Sequence, residues 1–262
     1  MKFDHRRLLE IAQTAARDAG VAIMQVYSEP FVVSHKPDHS PVTRADELAE
    51  SIILERLAAA TPDIPVIAEE SSALRGLPGA APPRFWLVDP LDGTKEFVAR
   101  NGEFTVNIAL IEDHRSVLGV VHIPVQDLTY AAAGRGTATR QDGRTAARPI
   151  AARPVPAQGP IVVHSRSHSD EAEIASFLAS LPQPERRLAG SSVKFCLLAA
   201  GEADIYPRFG RTMEWDTAAG QAILEAAGGS VTTGDGEPLR YGKPGFVNPD
   251  FIARGRAPEG GG

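Results

Sequence analysis

The run Val-Asp-Pro-Leu-Asp-Gly-Thr-Lys-Glu-Phe, at residues 88–97, most constrains how this 262-residue chain folds. The apolar stretch just before it, residues 84–88, predicts a buried strand, and the residues from Thr94 onward predict a helix. Asp89 and Asp92 therefore leave the end of a strand and meet the first turn of a helix. Strand ends hold ligands in α/β proteins, and helix N-termini bind phosphate through their free N–H groups. The run thus predicts a metal ion and a phosphate held side by side.

The charge of the chain limits what it binds. With 33 acidic and 27 basic residues the formal net charge is −6, whereas a general nucleic-acid binder usually carries a basic face. An acidic protein that handles an anionic phosphate needs a local positive charge, and a bound cation can supply it. The single cysteine, Cys196, excludes a disulfide or a cysteine zinc site within these residues, and we expect it to be a small buried hydrophobic residue.

The sequence indicates neither a membrane span nor a secretion signal. It contains no apolar stretch of the roughly 20 residues that a bilayer requires, and charged residues interrupt the N-terminal segment where a signal peptide has its apolar core. We therefore expect a soluble, cytoplasmic protein. A Gly-x-Ser-x-Gly elbow and a Walker-type loop are also absent from the sequence, which argues against a serine hydrolase and a P-loop NTPase.

Apolar periodicity and turn residues divide the chain into alternating helices and strands. In the first half they predict helices at residues 8–26 and 43–60, a strand at residues 64–68 and an antiparallel meander within residues 104–133. In the second half they predict strands at residues 161–163 and 203–206 and helices at residues 170–179, 191–200 and 216–227.

A proline- and arginine-rich stretch at residues 141–158 marks the expected seam between two lobes. We predict an N-terminal metal-binding α+β lobe at residues 1–150 and a C-terminal α/β lobe at residues 151–253. Residues 254–262 are predicted to form a disordered tail.

Candidate acidic residues occur at three places in the sequence: the pair Glu69 and Glu70, the pair Asp89 and Asp92, and the single residue Asp216. The first two pairs end predicted strands, and the last residue begins a predicted helix. A cysteine or histidine cluster does not accompany them, and an all-oxygen site suits Mg²⁺ or Mn²⁺. Ordinary roles stay open, since an Asp before a helix often caps it and a Glu pair is usually solvated. Spacing alone does not show that the three places converge.

Three segments resemble the signatures of the inositol monophosphatase superfamily: Ala-Glu-Glu-Ser at residues 68–71, the run at residues 86–94, and Trp-Asp-Thr-Ala-Ala-Gly at residues 215–220. The match extends over nearly the whole chain, to about Asn248. The resemblance implies an α/β (α+β) fold, a layered αβαβα sandwich of the inositol monophosphatase type, with the active site between two lobes. It also implies a Mg²⁺-dependent, lithium-sensitive phosphatase.

Further segments are similar to the bacterial 3′(2′),5′-bisphosphate nucleotidases of this superfamily, at residues 95–97, 104–109, 165–168, 190–196 and 206–210. The closer resemblance implies hydrolysis of the 3′-phosphate of adenosine 3′,5′-bisphosphate (PAP) to AMP in sulfur assimilation, and conversion of its sulfated precursor, PAPS, to APS. The substrate partner would be this small nucleotide and not a nucleic acid. Two alternatives stay open: inositol monophosphatase or fructose-1,6-bisphosphatase activity on the same fold, and a non-catalytic sensor of adenosine bisphosphate. A homodimer and a peripheral position on the inner face of the inner membrane also stay open.

The resemblance implies a role in metal binding for five residues. Glu69, Asp89 and the carbonyl oxygen of Leu91 would hold a first Mg²⁺. Asp89, Asp92 and Asp216 would hold a second, so that Asp89 bridges the two ions. A third, weaker ion would share Glu69, and Mn²⁺ would be able to substitute for Mg²⁺.

The resemblance also assigns the chemistry of the attacking water. Thr94 would relay a proton to Asp46, which acts as the base. Glu70 would be the third catalytic residue, supporting the shell of ligands rather than leading it. The backbone N–H groups of Gly93 and Thr94 would cradle the phosphate. The substrate would also contact four of the metal-binding residues: Glu69, Leu91, Asp92 and Asp216.

Four residues match positions that bind the adenosine and its 5′-phosphate in relatives: His168, Ser191, Lys194 and Arg208. A second phosphate far from the metal ions needs cations of its own, and Lys194 and Arg208 are the candidates. Each has an ordinary alternative: a solvated helix lysine for Lys194, a surface salt bridge for Arg208 and a capping role for His168.

Overall fold

A computed structural model describes residues 4–35, 41–165 and 171–257 of the chain. The helices in this part are α1 (His5–Tyr27), α2 (Arg44–Ala60), α3 (Glu69–Arg75), α4 (Thr94–Val98), α5 (Glu171–Ala179), α6 (Val193–Ala199) and α7 (Ala218–Ala226). The strands are β1 (Val33–His35), β2 (Pro41–Thr43), β3 (Val66–Ala68), β4 (Arg84–Asp92), β5 (Thr105–Glu112), β6 (Arg115–Ile123), β7 (Leu128–Ala133), β8 (Thr139–Asp142), β9 (Arg148–Pro149), β10 (Ile161–Ser165), β11 (Glu185–Ala189), β12 (Ile205–Arg208), β13 (Thr212–Met213), β14 (Ser230–Thr233), β15 (Val247–Asn248) and β16 (Phe251–Arg254).

The larger sheet follows the strand order β3-β4-β5-β6-β7-β8-β9 through the described residues. β3 and β4 are parallel, and the other neighbours are antiparallel, so β5 to β7 form the meander that the sequence predicts. Both faces of β4 are buried. Trp86 and Val88 belong to the core under α1 and α2, whereas Phe85 and Leu87 belong to the core on the opposite face, as the period of two in a strand requires.

The smaller sheet follows the order β11-β10-β12-β16-β14. β10 is parallel to β11 and β12, and β16 is antiparallel to both of its neighbours. α1 and α2 cover one face of the larger sheet, while α7 contacts β5, β6 and β7 of the larger sheet and β14 of the smaller. The elements therefore stack as helices, sheet, helices and sheet, and the predicted layered α/β fold is confirmed.

A glycine on β6 lets α7 approach the larger sheet closely. A Cβ atom at Gly119 would lie 2.3 Å from the carbonyl oxygen of Ala219 on α7, well inside van der Waals contact. On the same helix, a Cβ at Gly220 would lie 2.4 Å from the ring of Phe195 on α6. The small residues of the Thr-Ala-Ala-Gly segment thus bring α7, and the turn before it, against the end of the larger sheet.

Most predicted boundaries differ from the structure by a few residues, and two of the differences change how a segment is interpreted. Asp216 lies in a short 3₁₀ turn, and α7 begins two residues later at Ala218. Arg254, predicted to begin a disordered tail, ends β16, where it pairs with both β12 and β14. Arg256 continues the ordered part, because its N–H donates to the carbonyl of Arg153 at 2.9 Å. None of the helices in the described residues is both long and apolar enough to cross a membrane.

Candidate active site

The end of β4 is irregular, and this irregularity places its two acids. The register with β5 shifts between Asp89 and Asp92, and the Leu91 N–H donates to Asp89 Oδ1 at 3.0 Å. Gly93 then adopts φ 92°, a left-handed conformation that glycine accepts without strain. The bulge and the glycine turn the chain sharply, so that Asp89, Asp92 and the start of α4 all border one cleft.

Asp46 and Thr94 lie in direct contact, although they are 48 residues apart in the sequence. Thr94 Oγ1 donates to Asp46 Oδ1 at 3.0 Å, and it lies 3.3 Å from the carbonyl oxygen of Leu91. The other carboxylate oxygen of Asp46 accepts the N–H of Thr43 at 2.7 Å and its hydroxyl at 2.8 Å, in a capping box at the start of α2. Burial raises the pKa of Asp46 to about 6, against the effect of the hydrogen bonds from Thr43 and Thr94. A carboxylate with this pKa can accept a proton near neutral pH.

Glu50 is a supporting residue that sequence reasoning missed. It is buried on α2, one helical turn after Asp46, and its carboxylate accepts the N–H groups of Glu70 and Ser71, both at 2.8 Å. It thereby fixes the start of α3, where Glu69 borders the cleft. Glu70 is buried behind Glu69 and does not line the cleft. Glu50 lies four residues after Asp46 on the same helix, and this spacing is the signal in the sequence that could have pointed to it.

Ser192 connects the two halves of the site. Its N–H donates to Asp92 Oδ2 at 2.7 Å, and its hydroxyl donates to the carbonyl oxygen of Asp216 at 2.8 Å. Asn107 on β5 donates to the Ser192 hydroxyl at 2.9 Å. Asp216 is held in turn by the Met213 N–H, which donates to its Oδ2 at 2.8 Å. Sequence reasoning singled out the neighbouring Ser191 but neither Ser192 nor Asn107.

The cleft is a cavity of about 220 Å³ that borders most of the predicted site residues. Its lining includes ten of them: Glu69, Asp89, Leu91, Asp92, Gly93, Thr94, Ser191, Lys194, Arg208 and Asp216. Asp46 lies next to the lining through Thr94. His168 lies outside the described residues.

The acids that line the cleft repel one another. Burial raises the pKa of Asp216 well above its ordinary value, and the neighbouring carboxylates of Asp92 and Glu69 raise it further. Burial also raises the pKa of Asp92, while the ammonium of Lys194 opposes this. A cation between these carboxylates would relieve the repulsion.

The donor set of these acids fits a hard divalent cation. It consists of carboxylate oxygens and the carbonyl of Leu91, which is the chemistry that such ions prefer. Within the described residues, no group of three or more His, Cys, Asp or Glu side chains could hold a metal ion on its own. Mg²⁺ does not require such a group, because it usually keeps several waters and completes its shell with substrate phosphate oxygens.

Cations line the same cleft. Lys194 is buried, and its Nζ donates to the carbonyl of Ser191 at 2.5 Å and to that of Ala189 at 3.3 Å. It lies 5.1 Å from the centre of the Tyr206 ring, and burial lowers its pKa to about 8. Arg208 is also buried. The alternatives of a solvated helix lysine and a surface salt bridge are therefore wrong for these two residues.

Comparisons with known proteins agree with one another. A model of the inositol monophosphatase family matches residues 4–258. The 3′(2′),5′-bisphosphate nucleotidase CysQ of Salmonella typhimurium is 48% identical over 257 residues, which cover 93% of this chain and 98% of that protein. The protein of the same name from Escherichia coli K12 is 49% identical over 250 residues, covering 90% of this chain and 95% of that protein.

Solved structures resemble the whole chain. The crystal structure of CysQ from Bacteroides thetaiotaomicron, a bacterial member of the inositol monophosphatase family, superposes with a TM-score of 0.80 at 37% identity, covering 96% of this chain and 98% of that one. An inositol monophosphatase from Anabaena superposes with a TM-score of 0.77 at 29% identity, covering 96% of this chain and 92% of that one. The resemblance therefore includes both sheets and the cleft.

Proposed function

This chain belongs to the inositol monophosphatase family, and from that membership we propose that it hydrolyses the 3′-phosphate of adenosine 3′,5′-bisphosphate to give AMP and phosphate. It is a phosphoric monoester hydrolase, a 3′(2′),5′-bisphosphate nucleotidase like the relatives it matches along nearly their full length. PAPS, which carries the same 3′-phosphate, is a second substrate of the same site.

One observation carries this proposal: a single cleft is lined by both acids and buried cations. Asp89, Asp92 and Asp216 are the acids, and Lys194 and Arg208 are the buried cations. A substrate with one phosphate needs only the acids and their metal ions. A second phosphate on the same molecule gives a reason for the buried cations.

The residues around the acids prepare the attack of water on phosphorus. Asp46 accepts a proton through the Thr94 hydroxyl, which is already hydrogen-bonded to it. The backbone N–H groups of Gly93 and Thr94 contact the phosphate oxygens. Ser192 keeps Asp92 and Asp216 at a fixed separation through its two hydrogen bonds. Positioning of this kind accounts for a large part of the barrier reduction in phosphoryl transfer.

Members of the family are metal-dependent phosphatases, and we propose Mg²⁺ as the ion, with two or three bound and Mn²⁺ able to replace it. Glu69, Asp89, the Leu91 carbonyl, Asp92 and Asp216 would hold the ions. When bound, the ions supply charge that neutralises the phosphate and stabilises the leaving 3′-oxygen.

Phosphate release from three substrates tests the proposal. Adenosine 3′,5′-bisphosphate, inositol 1-phosphate and fructose 1,6-bisphosphate are each supplied with Mg²⁺ or with EDTA. We expect the highest kcat/KM for the nucleotide, and no turnover in EDTA or in the Asp89→Asn variant. A preference for either sugar phosphate would overturn the substrate assignment while leaving the metal site intact. Binding of the nucleotide without turnover would point instead to the sensor.

A further inference from the structure

Four cationic side chains line the cleft: Lys95, Lys194, Arg208 and Arg211. They differ in the protein groups that they contact. Lys194 donates to backbone carbonyls of the loop at residues 189–191. The guanidinium of Arg208 is buried, and its Nη2 donates to the carbonyl oxygen of Arg211 at 3.0 Å. Arg211 is exposed, and in the described part of the chain no carboxylate makes an ion pair with it. Its guanidinium is therefore available to a ligand in the cleft.

The turn that carries Arg211 is held from three directions. Arg208 binds its carbonyl oxygen, as described above. Gly210 adopts φ 95°, and its N–H donates to Asp250 Oδ1 at 2.8 Å. Strand β13 begins at the next residue, Thr212, and pairs with β15. The backbone at Arg211 is thus fixed at the rim of the cleft, five residues before Asp216, while the side chain is exposed.

We propose that Arg211 binds the second phosphate of the substrate and determines the preference for a nucleotide bisphosphate over a monophosphate. This role rests on the proposed function and names a residue that sequence reasoning did not single out. A guanidinium binds a phosphate with two parallel hydrogen bonds. Lys194 and Arg208 supply buried positive charge in the same cleft, and Arg208 also holds the turn that carries Arg211.

Comparing a substrate that has the second phosphate with one that lacks it tests this role of Arg211. Adenosine 3′,5′-bisphosphate is compared with adenosine 3′-monophosphate, which lacks the 5′-phosphate, in the wild type and in the Arg211→Gln and Arg211→Lys variants. Arg211→Gln should lower kcat/KM for the bisphosphate by about 10- to 100-fold, the effect of losing a hydrogen-bonded charge, mostly through KM. The monophosphate should react as in the wild type. Arg211→Lys should lie between, because it keeps the charge and loses the bidentate geometry.

A matched control is Arg135→Gln, because Arg135 is also exposed but does not line this cleft. It should leave both reactions unchanged. Equal losses on both substrates in Arg211→Gln, or no loss on either, would overturn the role of Arg211. If the wild type hydrolysed neither nucleotide, the proposed function itself would fail, and this outcome is distinct because it does not depend on any variant.

Discussion

Thr94 shows how much of the chemistry depends on one atom. Its hydroxyl oxygen is 3.0 Å from Asp46 Oδ1 and 3.3 Å from the carbonyl oxygen of Leu91. It therefore connects the proposed base on α2 to the turn that would hold the metal ion and the phosphate. Asp46 is in turn fixed by Thr43, so the base cannot swing away from the hydroxyl without breaking the cap of α2.

We predict that the hydroxyl of Thr94, and not its methyl group, matters for turnover. Thr94→Val keeps the shape and removes the proton relay, so kcat should fall by about 100-fold or more. Thr94→Ser keeps the hydroxyl and should retain most of the activity. Steady-state kinetics with the nucleotide would test this, and circular dichroism would confirm that both variants fold. Equal activity in the two variants would contradict the relay.

The sequence was most informative about residues within one local motif. Asp89, Leu91, Asp92 and Thr94 come from a single run of six residues, so their proximity follows from chain connectivity. The supporting groups come from remote parts of the chain. Ser192 contacts Asp92 across 100 residues of sequence, and no pattern in a single sequence reports a contact of that range.

We predict that the buried side chain of His122 makes the stability of the protein depend on pH. Its buried ring on β6 contacts the Thr129 hydroxyl through Nδ1 at 3.0 Å, and burial lowers its pKa from 6.5 to about 4, with Arg17 adding to the shift and Asp127 opposing it. Between pH 6.5 and 4, His122 is protonated in the unfolded chain but stays neutral in the folded protein. The free energy of unfolding therefore falls as pH drops from about 6.5 to 4, by about 3 kcal/mol from this group.

Urea unfolding of the wild type and His122→Gln between pH 7 and pH 4 checks this prediction. Glutamine does not titrate, so the variant lacks this part of the pH dependence. The stability advantage of the wild type should shrink steadily as the pH falls. An advantage that is the same at both ends of the range would show that His122 does not titrate between them.

At the scale of elements, α7 positions the second half of the site. The 3₁₀ turn of Asp216 directly precedes α7, and α7 rests on β6 at Gly119. The helical periodicity predicted α7 nearly in full, because its apolar face is long. It did not predict the separate turn at Asp216, because the capping contact from Met213 replaces a regular helical start.

We predict that Gly119→Ala pushes α7 away from the larger sheet. The added Cβ would lie 2.3 Å from a backbone oxygen, which cannot move without moving the helix. The variant should lose about 1–3 kcal/mol of stability and should also lose activity, because Asp216 moves with the helix. Chemical denaturation and nucleotide turnover measure the two effects.

The matched control is Gly234→Ala, where the new Cβ would meet no atom within 4 Å and the backbone needs no left-handed conformation. It should leave stability and turnover nearly unchanged. If Gly119→Ala were equally harmless, the close approach of α7 and β6 would not be what sets the position of Asp216.

At the scale of the whole molecule, the cleft brings together acids from both halves of the chain. Glu69 and Asp92 come from the segments around β3 and β4, and Asp216 comes from the turn before α7. The layered fold that the motifs predicted explains how such distant segments meet, since α7 lies between the two sheets. The order of the layers followed from resemblance, whereas alternating apolar residues alone do not specify which sheet faces which helix.

The collected acids predict that a divalent cation stabilises the fold. Asp92 and Asp216 repel each other in the metal-free protein, so Asp216→Asn should raise the thermal midpoint in EDTA, and its side-chain oxygen can still accept the Met213 N–H. The wild type should gain stability with Mg²⁺, by about 2.7 kcal/mol at a hundredfold excess over Kd, and the variant should gain much less.

Asp63→Asn, at an exposed aspartate outside the cleft, serves as the control and should respond to Mg²⁺ like the wild type. An equal Mg²⁺ response in Asp216→Asn and the wild type would mean that the ion binds without Asp216, and the second half of the chain would then contribute contacts to the substrate alone.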